Sequence, residues 1–135
     1  MRLESDLVDL LLATEEKTLG QYKGKVKWSS QHTLCVVMAA KGYPGSYEKG
    51  TPISNTDLLN EMADVRLFHA GTMVDNSDTL VNSGGRVLGI VGIGSTVQDA
   101  QEYAYKGVDA IDWPGGFARR DIGWRAIAAQ KDQAA

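Results

Sequence analysis

Hydrophobic residues near the start of the chain recur at the spacing of an α-helix. The repeating face falls at i, i+4, i+7, i+8 and i+11, and it comprises Leu3, Leu7, Leu10, Leu11 and Thr14. Because the acidic residues lie mostly off this face, the pattern predicts an amphipathic helix that ends near Gly20. An isolated helix of this length is marginal in water, so its apolar face requires a partner surface.

Later stretches have the patterns of β-strands. Thr33–Ala40 is apolar and rich in β-branched residues, and Val65–Val74 is predicted to be a second strand. Thr79–Asn82 and Arg86–Ile93 flank an Asn-Ser-Gly-Gly sequence at 82–85. Glycine tolerates positive φ, so this arrangement predicts a hairpin between the last two strands.

A second helix is predicted over Thr96–Lys106. Thr96 can cap it with Asp99 in a capping box, and Gly107 is expected to end it. The glycine-rich stretch Gly89–Ser95 lacks the lysine of a phosphate loop, so we interpret it as a strand end that leads into the capped helix. These elements predict one α+β domain over residues 1–135, rich in strands, with an N-terminal helix and a second packed helix.

The composition excludes several classes of protein. The chain has 135 residues, of which 43% are hydrophobic and 23% charged, as in an ordinary globular domain. A net charge of −3 and a pI near 5.3 argue against a broad surface for nucleic acid or anionic membranes. No apolar run approaches the roughly 20 residues of a membrane span, and the N-terminus is expected to carry no signal peptide. A cytoplasmic location is therefore expected.

Cysteine and histidine limit the chemistry further. The single cysteine, Cys35, lies in an apolar run, which predicts a position in the core. His69 and His32 lack the spacing of metal ligands, so no metal site is expected. Gly71, inside a predicted strand, indicates a bulge or a close backbone approach. No Ser-His-Asp arrangement and no carboxylate pair stands out, so no catalytic residue is assigned.

The most informative polar feature is the pair Arg119-Arg120. Guanidinium groups present forked donors that match phosphate, and free N–H groups at a helix start would add to the same field. The alternative is a surface ion pair of Arg120 with Asp121 or Asp112, which is worth little. A second candidate is the loop Gly42-Tyr43-Pro44-Gly45, which follows a strand end where loops often line sites. A plain turn around its proline is the alternative there.

Several motifs occur together in one order along the chain. They are Val36–Tyr47, Phe68–Thr72, Gly84–Leu88 and Arg119–Gly123. In this order they resemble the C-terminal domain of the phosphoribosylamine–glycine ligases, also called glycinamide ribonucleotide synthetases. The opening Arg2–Leu7 resembles the helix that enters that domain, so the resemblance spans nearly the whole chain. Ala118 departs from the family, which often carries an aromatic residue there.

The resemblance implies a small β-rich barrel-sandwich fold, similar to the rudiment single hybrid motif, that forms the C-terminal domain of a larger ATP-grasp ligase. That enzyme joins glycine to phosphoribosylamine in purine biosynthesis, using ATP and magnesium (or manganese) through a glycyl phosphate. ATP and most metal ligands belong to regions N-terminal to this one. The isolated domain is therefore expected to be inactive and to hold no cofactor. The implied partners are the two substrates and the N-terminal and ATP-grasp domains of the same polypeptide.

The resemblance also implies which residues bind substrate. Related enzymes place paired arginines of this domain on the ribose 5-phosphate, which carries over to Arg119 and Arg120. The residues expected to line or support the same cleft are Gly42, Tyr43, Pro44, Gly45, His69, Gly71, Thr72 and Arg86.

Two other functions compete with this interpretation. Met38–Lys41 weakly resembles the lysine-bearing hairpin tip of a biotinyl or lipoyl carrier, although the usual Met-Lys-Met sequence is absent. A plain protein-interaction domain would instead show an exposed apolar patch and no anion site.

Overall fold

The computed structural model describes residues 1–134 and confirms the α+β class. The helices are α1 (Leu7–Glu15), α2 (Val97–Ala110) and α3 (Trp124–Ala134), with 3₁₀ turns at Leu19–Tyr22 and Thr56–Glu61. The strands are β1 (His32–Ala40), β2 (Val65–His69), β3 (Thr72–Val74), β4 (Leu80–Asn82), β5 (Arg86–Gly94) and β6 (Gly116–Phe117). No helix within the described residues has both the length and the apolar character that crossing a membrane demands.

A four-stranded sheet in the order β2-β5-β1-β6 forms the centre of the domain. β1 and β5 pair antiparallel from His32↔Gly94 onward, and a bulge at Met38/Ala39 brings Ala39 opposite Arg86. Directly opposed residues share a face of the sheet. Val36 and Ile90 therefore point together into the core, where both are fully buried, whereas Cys35 and Val37 point to the other face.

Helix α2 covers the core face of this sheet. Its backbone approaches β5 so closely that a Cβ on Gly92 would lie 2.0 Å from the Ala100 carbonyl oxygen. The capping box predicted at its start is confirmed, since Thr96 Oγ1 accepts from Asp99 N at 3.0 Å and Asp99 Oδ2 accepts from Thr96 N at 3.0 Å. Gly107 does not end the helix as predicted. It lies inside α2, which continues to Ala110, and a Cβ there would meet Ile90 Cγ2 at 2.7 Å.

Two predictions about strands are wrong. Val65–Val74 divides after His69, because β3 leaves the central sheet and pairs with β4 in a separate two-stranded sheet. β4 and β5 therefore do not form a hairpin. At the division the backbone passes close to Gly84, because a Cβ on Gly71 would lie 2.8 Å from Gly84 Cα. This confirms the close approach predicted at Gly71. The two sheets remain open, and the strands described here do not close into a barrel.

Helix α1 is present but ends at Glu15 instead of near Gly20, and this domain leaves much of its apolar side uncovered. Asp6 caps it by accepting from Val8 N at 2.7 Å, and Ala13 is its buried residue. Leu7 and Leu11, which were expected to face a partner, are 56% and 60% exposed. The domain therefore does not itself supply the surface that this helix needs.

Candidate functional site

The face of the central sheet opposite α2 carries a groove made of two adjoining hollows. The first, of about 340 Å³, is lined in part by Tyr43, Pro44 and Arg119. The second, of about 440 Å³, is lined in part by Phe68, Ala70 and Gly71. Val37 and Arg86 line both hollows, which makes them one continuous depression. We call it the sheet groove; its hollows have the size typical of small-ligand sites.

Arg86 lies where the two hollows meet. It is the first residue of β5, and the shift in register between β1 and β5 sets it opposite Ala39. No carboxylate within residues 1–134 forms an ion pair with it. Its guanidinium gives the groove a positive charge that the described residues do not neutralise.

Arg119 borders the first hollow and is held by Asp121. Its Nε and Nη2 donate to the two carboxylate oxygens at 2.9 and 2.6 Å. This pairing lowers the pKa of the Asp121 carboxyl and raises the pKa of Arg119. A guanidinium has five N–H donors, so the pair occupies one edge of the group and leaves Nη1 for a second acceptor. Asp121 thus orients Arg119 without exhausting its capacity to bind an anion.

Arg120 lies against helix α2 and not beside the groove. Its Nη1 lies 2.6 Å from Asp109 Oδ1 on α2, and its guanidinium stacks 5.5 Å from the centre of the Tyr105 ring. It lines neither hollow of the sheet groove. The structure therefore brings Arg119 together with Arg86, and it separates Arg119 from its neighbour in sequence. The anticipated partner was Asp121 or Asp112, whereas the observed partner is Asp109.

Two side chains of α2 hold the segment that carries Arg119. The Tyr105 hydroxyl donates to Arg119 O at 2.8 Å and accepts from Ile122 N at 3.0 Å. Gln101 Nε2 donates to Ile122 O at 2.6 Å. Sequence reasoning missed both residues, because each looks like an ordinary polar position on a surface helix.

The Tyr43–Pro44 segment reaches the groove from the end of β1. The peptide bond between these residues is cis, and Gly42 before it has φ of +97°. The Tyr43 ring lies so close to Gly85 that a Cβ there would be 2.1 Å from Tyr43 Cδ2. Gly45, the last residue of the predicted motif, does not line the groove.

A buried polar network anchors the far end of the same loop. Asn82 is fully buried, and its Oδ1 accepts from Thr51 N at 2.8 Å and from Thr51 Oγ1 at 2.7 Å. Its Nδ2 donates to Glu48 O, and Trp113 Nε1 donates to Thr51 Oγ1, both at 2.8 Å. Every polar atom of the Asn82 side chain is thus satisfied. The sequence analysis did not single out this network.

The His69–Thr72 motif lies at one end of the groove, but only part of it lines the depression. Gly71 lines the second hollow, whereas His69 and Thr72 bond to each other, with Nδ1 and Oγ1 3.1 Å apart. Their contact connects the end of β2 to the start of β3 and therefore has a structural role. Within residues 1–134 no cluster of three or more His, Cys, Asp or Glu side chains has the arrangement of a metal site.

Cys35 corrects a further prediction. It is exposed on the groove face and lines the first hollow, instead of lying in the core. The alternation of β1 explains the difference, because Leu34 and Val36 take the buried face and Cys35 lies between them. Partial burial raises the pKa of its thiol.

Comparisons with known proteins agree on one family. The family model described as "Phosphoribosylglycinamide synthetase, C domain" matches residues 33–125. A phosphoribosylamine–glycine ligase of Arabidopsis thaliana, named chloroplastic, is 49% identical over 94% of this chain and 24% of its own length. The ligase of Agrobacterium fabrum is 47% identical over 97% of the chain and 30% of its own length.

A solved structure has the same fold. The phosphoribosylamine–glycine ligase of Thermotoga maritima superposes with a TM-score of 0.62 at 31% sequence identity, over 82% of this chain and 27% of that one. The chain thus spans less than a third of the length of the curated relatives named above.

Proposed function

Since this chain belongs to the phosphoribosylglycinamide synthetase C-domain family, we propose that it is the substrate-binding C-terminal domain of a phosphoribosylamine–glycine ligase. The complete enzyme would convert ATP, glycine and 5-phosphoribosylamine to glycinamide ribonucleotide, ADP and phosphate, a step of purine biosynthesis. The part assigned to this chain is to hold the ribose 5-phosphate so that the amine meets the activated glycine.

The observation that carries this proposal is the arginine pairing in the sheet groove. Arg86 supplies unneutralised charge where the two hollows meet, and Arg119 adds donors at the rim. A sugar phosphate is a dianion with an uncharged body, which suits two guanidiniums beside a mixed polar and apolar wall. Tyr43, Pro44 and Gly71 would shape that wall. The role predicted for Arg120 stays a prediction, and from its position it would act by supporting the segment next to Arg119.

Positioning is the catalytic contribution proposed for these residues. Fixing one reactant near the other replaces a bimolecular encounter by a local one, which lowers the barrier without chemistry by the binding domain. ATP and magnesium or manganese would be bound mainly outside this chain and would activate the glycine carboxylate. We assign no metal ligand here, because the described residues offer no cluster of acidic side chains for one.

The partners proposed are the N-terminal and ATP-grasp domains of the same polypeptide. The exposed apolar side of α1 supports this proposal. The helix lies outside the family model's residues 33–125, but full-length relatives align with it as well.

A cytoplasmic location remains a prediction, as does the barrel-sandwich form of the fold. A biotinyl or lipoyl carrier would need Lys41 at a hairpin tip. Lys41 instead begins the long loop after β1.

A substitution series in the full-length ligase tests the proposal. Arg86→Ala and Arg119→Ala should each remove a charged hydrogen bond to phosphate, worth about 1.5–3 kcal/mol, and so lower kcat/KM for phosphoribosylamine roughly 10- to 150-fold. Arg66→Ala is the matched control, because Arg66 is exposed, donates to the carbonyl oxygens of Ala63 and Val65, and lines neither hollow. Unchanged kcat/KM in both groove variants would refute the proposal. If the groove instead served only as a protein-interaction surface, both variants would leave kcat/KM unchanged and would weaken the contact of this domain with the other domains.

A further inference from the structure

We propose that Tyr105 is the positioning residue of Arg119, acting through its hydroxyl group on the backbone of the segment that carries the arginine. The inference rests on the proposed function, since it names what aims one of the two groove arginines. Tyr105 lies on α2, and it lines neither hollow of the sheet groove.

The hydroxyl connects the two ends of a four-residue segment. Arg119 and Ile122 are the first and fourth residues of this segment. In a β-turn of the same length, the N–H of the fourth residue donates directly to the carbonyl oxygen of the first. Here the Tyr105 oxygen stands between these groups, donating to Arg119 O at 2.8 Å and accepting from Ile122 N at 3.0 Å. One side-chain atom thus sets the separation of the two backbone groups and ties both to α2.

No regular backbone pairing within residues 1–134 fixes the segment at this end of the domain. The regular pairing of β6 stops at Phe117, and α3 begins only at Trp124. Between them, Gln101 Nε2 anchors Ile122 O at 2.6 Å. Arg119 itself is 70% exposed and bonds to Asp121 within the same segment, so the ion pair moves with the segment and cannot anchor it. Arg120 adds an exposed ion pair to Asp109 on α2, and Tyr105 and Gln101 provide the hydrogen bonds that relate the backbone beside Arg119 to the rigid part of the fold.

The ring and the hydroxyl of Tyr105 have separable tasks. The ring supports the guanidinium of Arg120, which stacks 5.5 Å from the ring centre. A phenylalanine retains an aromatic face for that cation. Tyr105→Phe therefore removes the link to Arg119 and Ile122 and leaves the stacking in place. Without the link the segment is free to close on itself or to bond to water, and either outcome shifts Arg119 relative to Arg86.

The test compares Tyr105→Phe with Tyr103→Phe in the full-length ligase. Tyr103 is a partly buried tyrosine on the same helix, and no hydrogen bond of its hydroxyl is found within residues 1–134. Tyr105→Phe should raise KM for phosphoribosylamine about tenfold through the loss of two hydrogen bonds, and leave kcat and the KM values for ATP and glycine within about twofold. Tyr103→Phe should change none of them. Gln101→Leu should reproduce the selective KM effect, and it provides a second variant if Tyr105→Phe folds poorly.

The outcomes separate this inference from the function on which it rests. If Arg119→Ala raises KM for phosphoribosylamine and neither Tyr105→Phe nor Gln101→Leu does, the positioning role is wrong and the proposed function stands. If Arg119→Ala and Arg86→Ala have no effect, the proposed function itself fails. A fall in kcat with all KM values unchanged would show that Tyr105 only stabilises the fold, which overturns the inference. An equal KM effect from Tyr103→Phe would overturn it as well.

Discussion

Charge pairing distinguishes arginines that look equivalent in the sequence. Arg119 and Arg120 are neighbours, yet Asp121 holds the first beside the sheet groove and Asp109 holds the second against α2. Both pairs are solvent-exposed, so each adds little to stability. The ion pairs matter because each fixes where its guanidinium points, and only that of Arg119 lies beside the groove. Arg86, which is distant in sequence, lines the same hollow as Arg119.

Cys35 offers a chemical reporter inside the groove. It is the only cysteine of the chain, and its raised pKa means that less reactive thiolate is present at pH 8 than for an unburied thiol. We expect iodoacetamide to modify the native chain more slowly than the same chain unfolded in urea at pH 8. The difference should narrow as the pH rises through the elevated pKa. The rates are measured by intact mass against time from pH 7 to 10.

Ligand protection extends this measurement. Ribose 5-phosphate should slow the alkylation of Cys35 further in the full-length ligase, because the thiol lines the same hollow as Arg119. Ribose without its phosphate is the control and should protect less. Equal rates with and without ribose 5-phosphate at saturating concentration would show that the ligand does not occupy this hollow.

The contact between α2 and β5 depends on glycine at selected positions of the strand. Gly92 and Gly94 face the helix, where a Cβ would lie 2.0 Å from Ala100 O and 2.5 Å from Asp99 Cβ. Gly89 belongs to the same strand but faces the groove, where the nearest atom to an added Cβ is Cys35 Sγ at 3.5 Å. In this strand, Gly92 and Gly94 are required by the close approach of α2, whereas Gly89 has room for a methyl group.

A pair of alanine substitutions tests this difference. Gly92→Ala should destabilise the domain by about 3 kcal/mol, because the helix backbone has to move away from the strand. Gly89→Ala should change the free energy of unfolding by less than about 1 kcal/mol, since its new methyl group makes ordinary contacts. Urea denaturation followed by circular dichroism measures both. A similar cost for the two variants would contradict the close packing of α2 on β5.

In the whole molecule, the apolar surface between α2 and the central sheet is buried, whereas that of α1 is largely exposed. The core between α2 and the central sheet is closely packed, with residues such as Leu59 and Ile90 at 2% and 0% exposure. The N-terminal segment has the reverse character, because Leu12 is 53% exposed on a helix that is rich in leucine. A surface of this kind in a chain that spans under a third of its relatives' length fits a contact between domains.

Truncating one leucine on each surface tests this assignment. In the 135-residue chain, Leu12→Ala should change the free energy of unfolding by less than about 0.5 kcal/mol, since its side chain contacts water and alanine is a good helix former. Leu59→Ala should cost about 2–5 kcal/mol as a buried truncation. In the full-length ligase the cost of Leu12→Ala should rise toward that of a buried leucine. If Leu12→Ala costs as much as Leu59→Ala in the short chain, α1 packs on this domain instead.

Short-range chemistry made much of the fold predictable. The strand at 33–40, the capping box of Thr96 and Asp99, and the close approach at Gly71 each follow from a few neighbouring residues, and the structure confirms all of them. The family was identified from motifs in order, and the comparisons confirm it. The candidate site was predicted only as a set of motifs, of which Tyr43, Pro44, Gly71, Arg86 and Arg119 line one groove.

Contacts between distant parts of the chain decided the rest. The pairing of β4 with β3 and the continuation of α2 beyond Gly107 both depend on which element lies opposite, and local patterns do not contain that information. The same holds for Tyr105, whose hydroxyl donates to the carbonyl of Arg119 in a separate segment of the chain. The exposure of Cys35 follows instead from the alternation of β1, in which Leu34 and Val36 take the buried face. The sequence by itself determined the family and most element types, and it singled out the arginines proposed to bind phosphate. Only the tertiary structure decided which arginines share the groove, because long-range packing and ion pairing set the direction of each side chain.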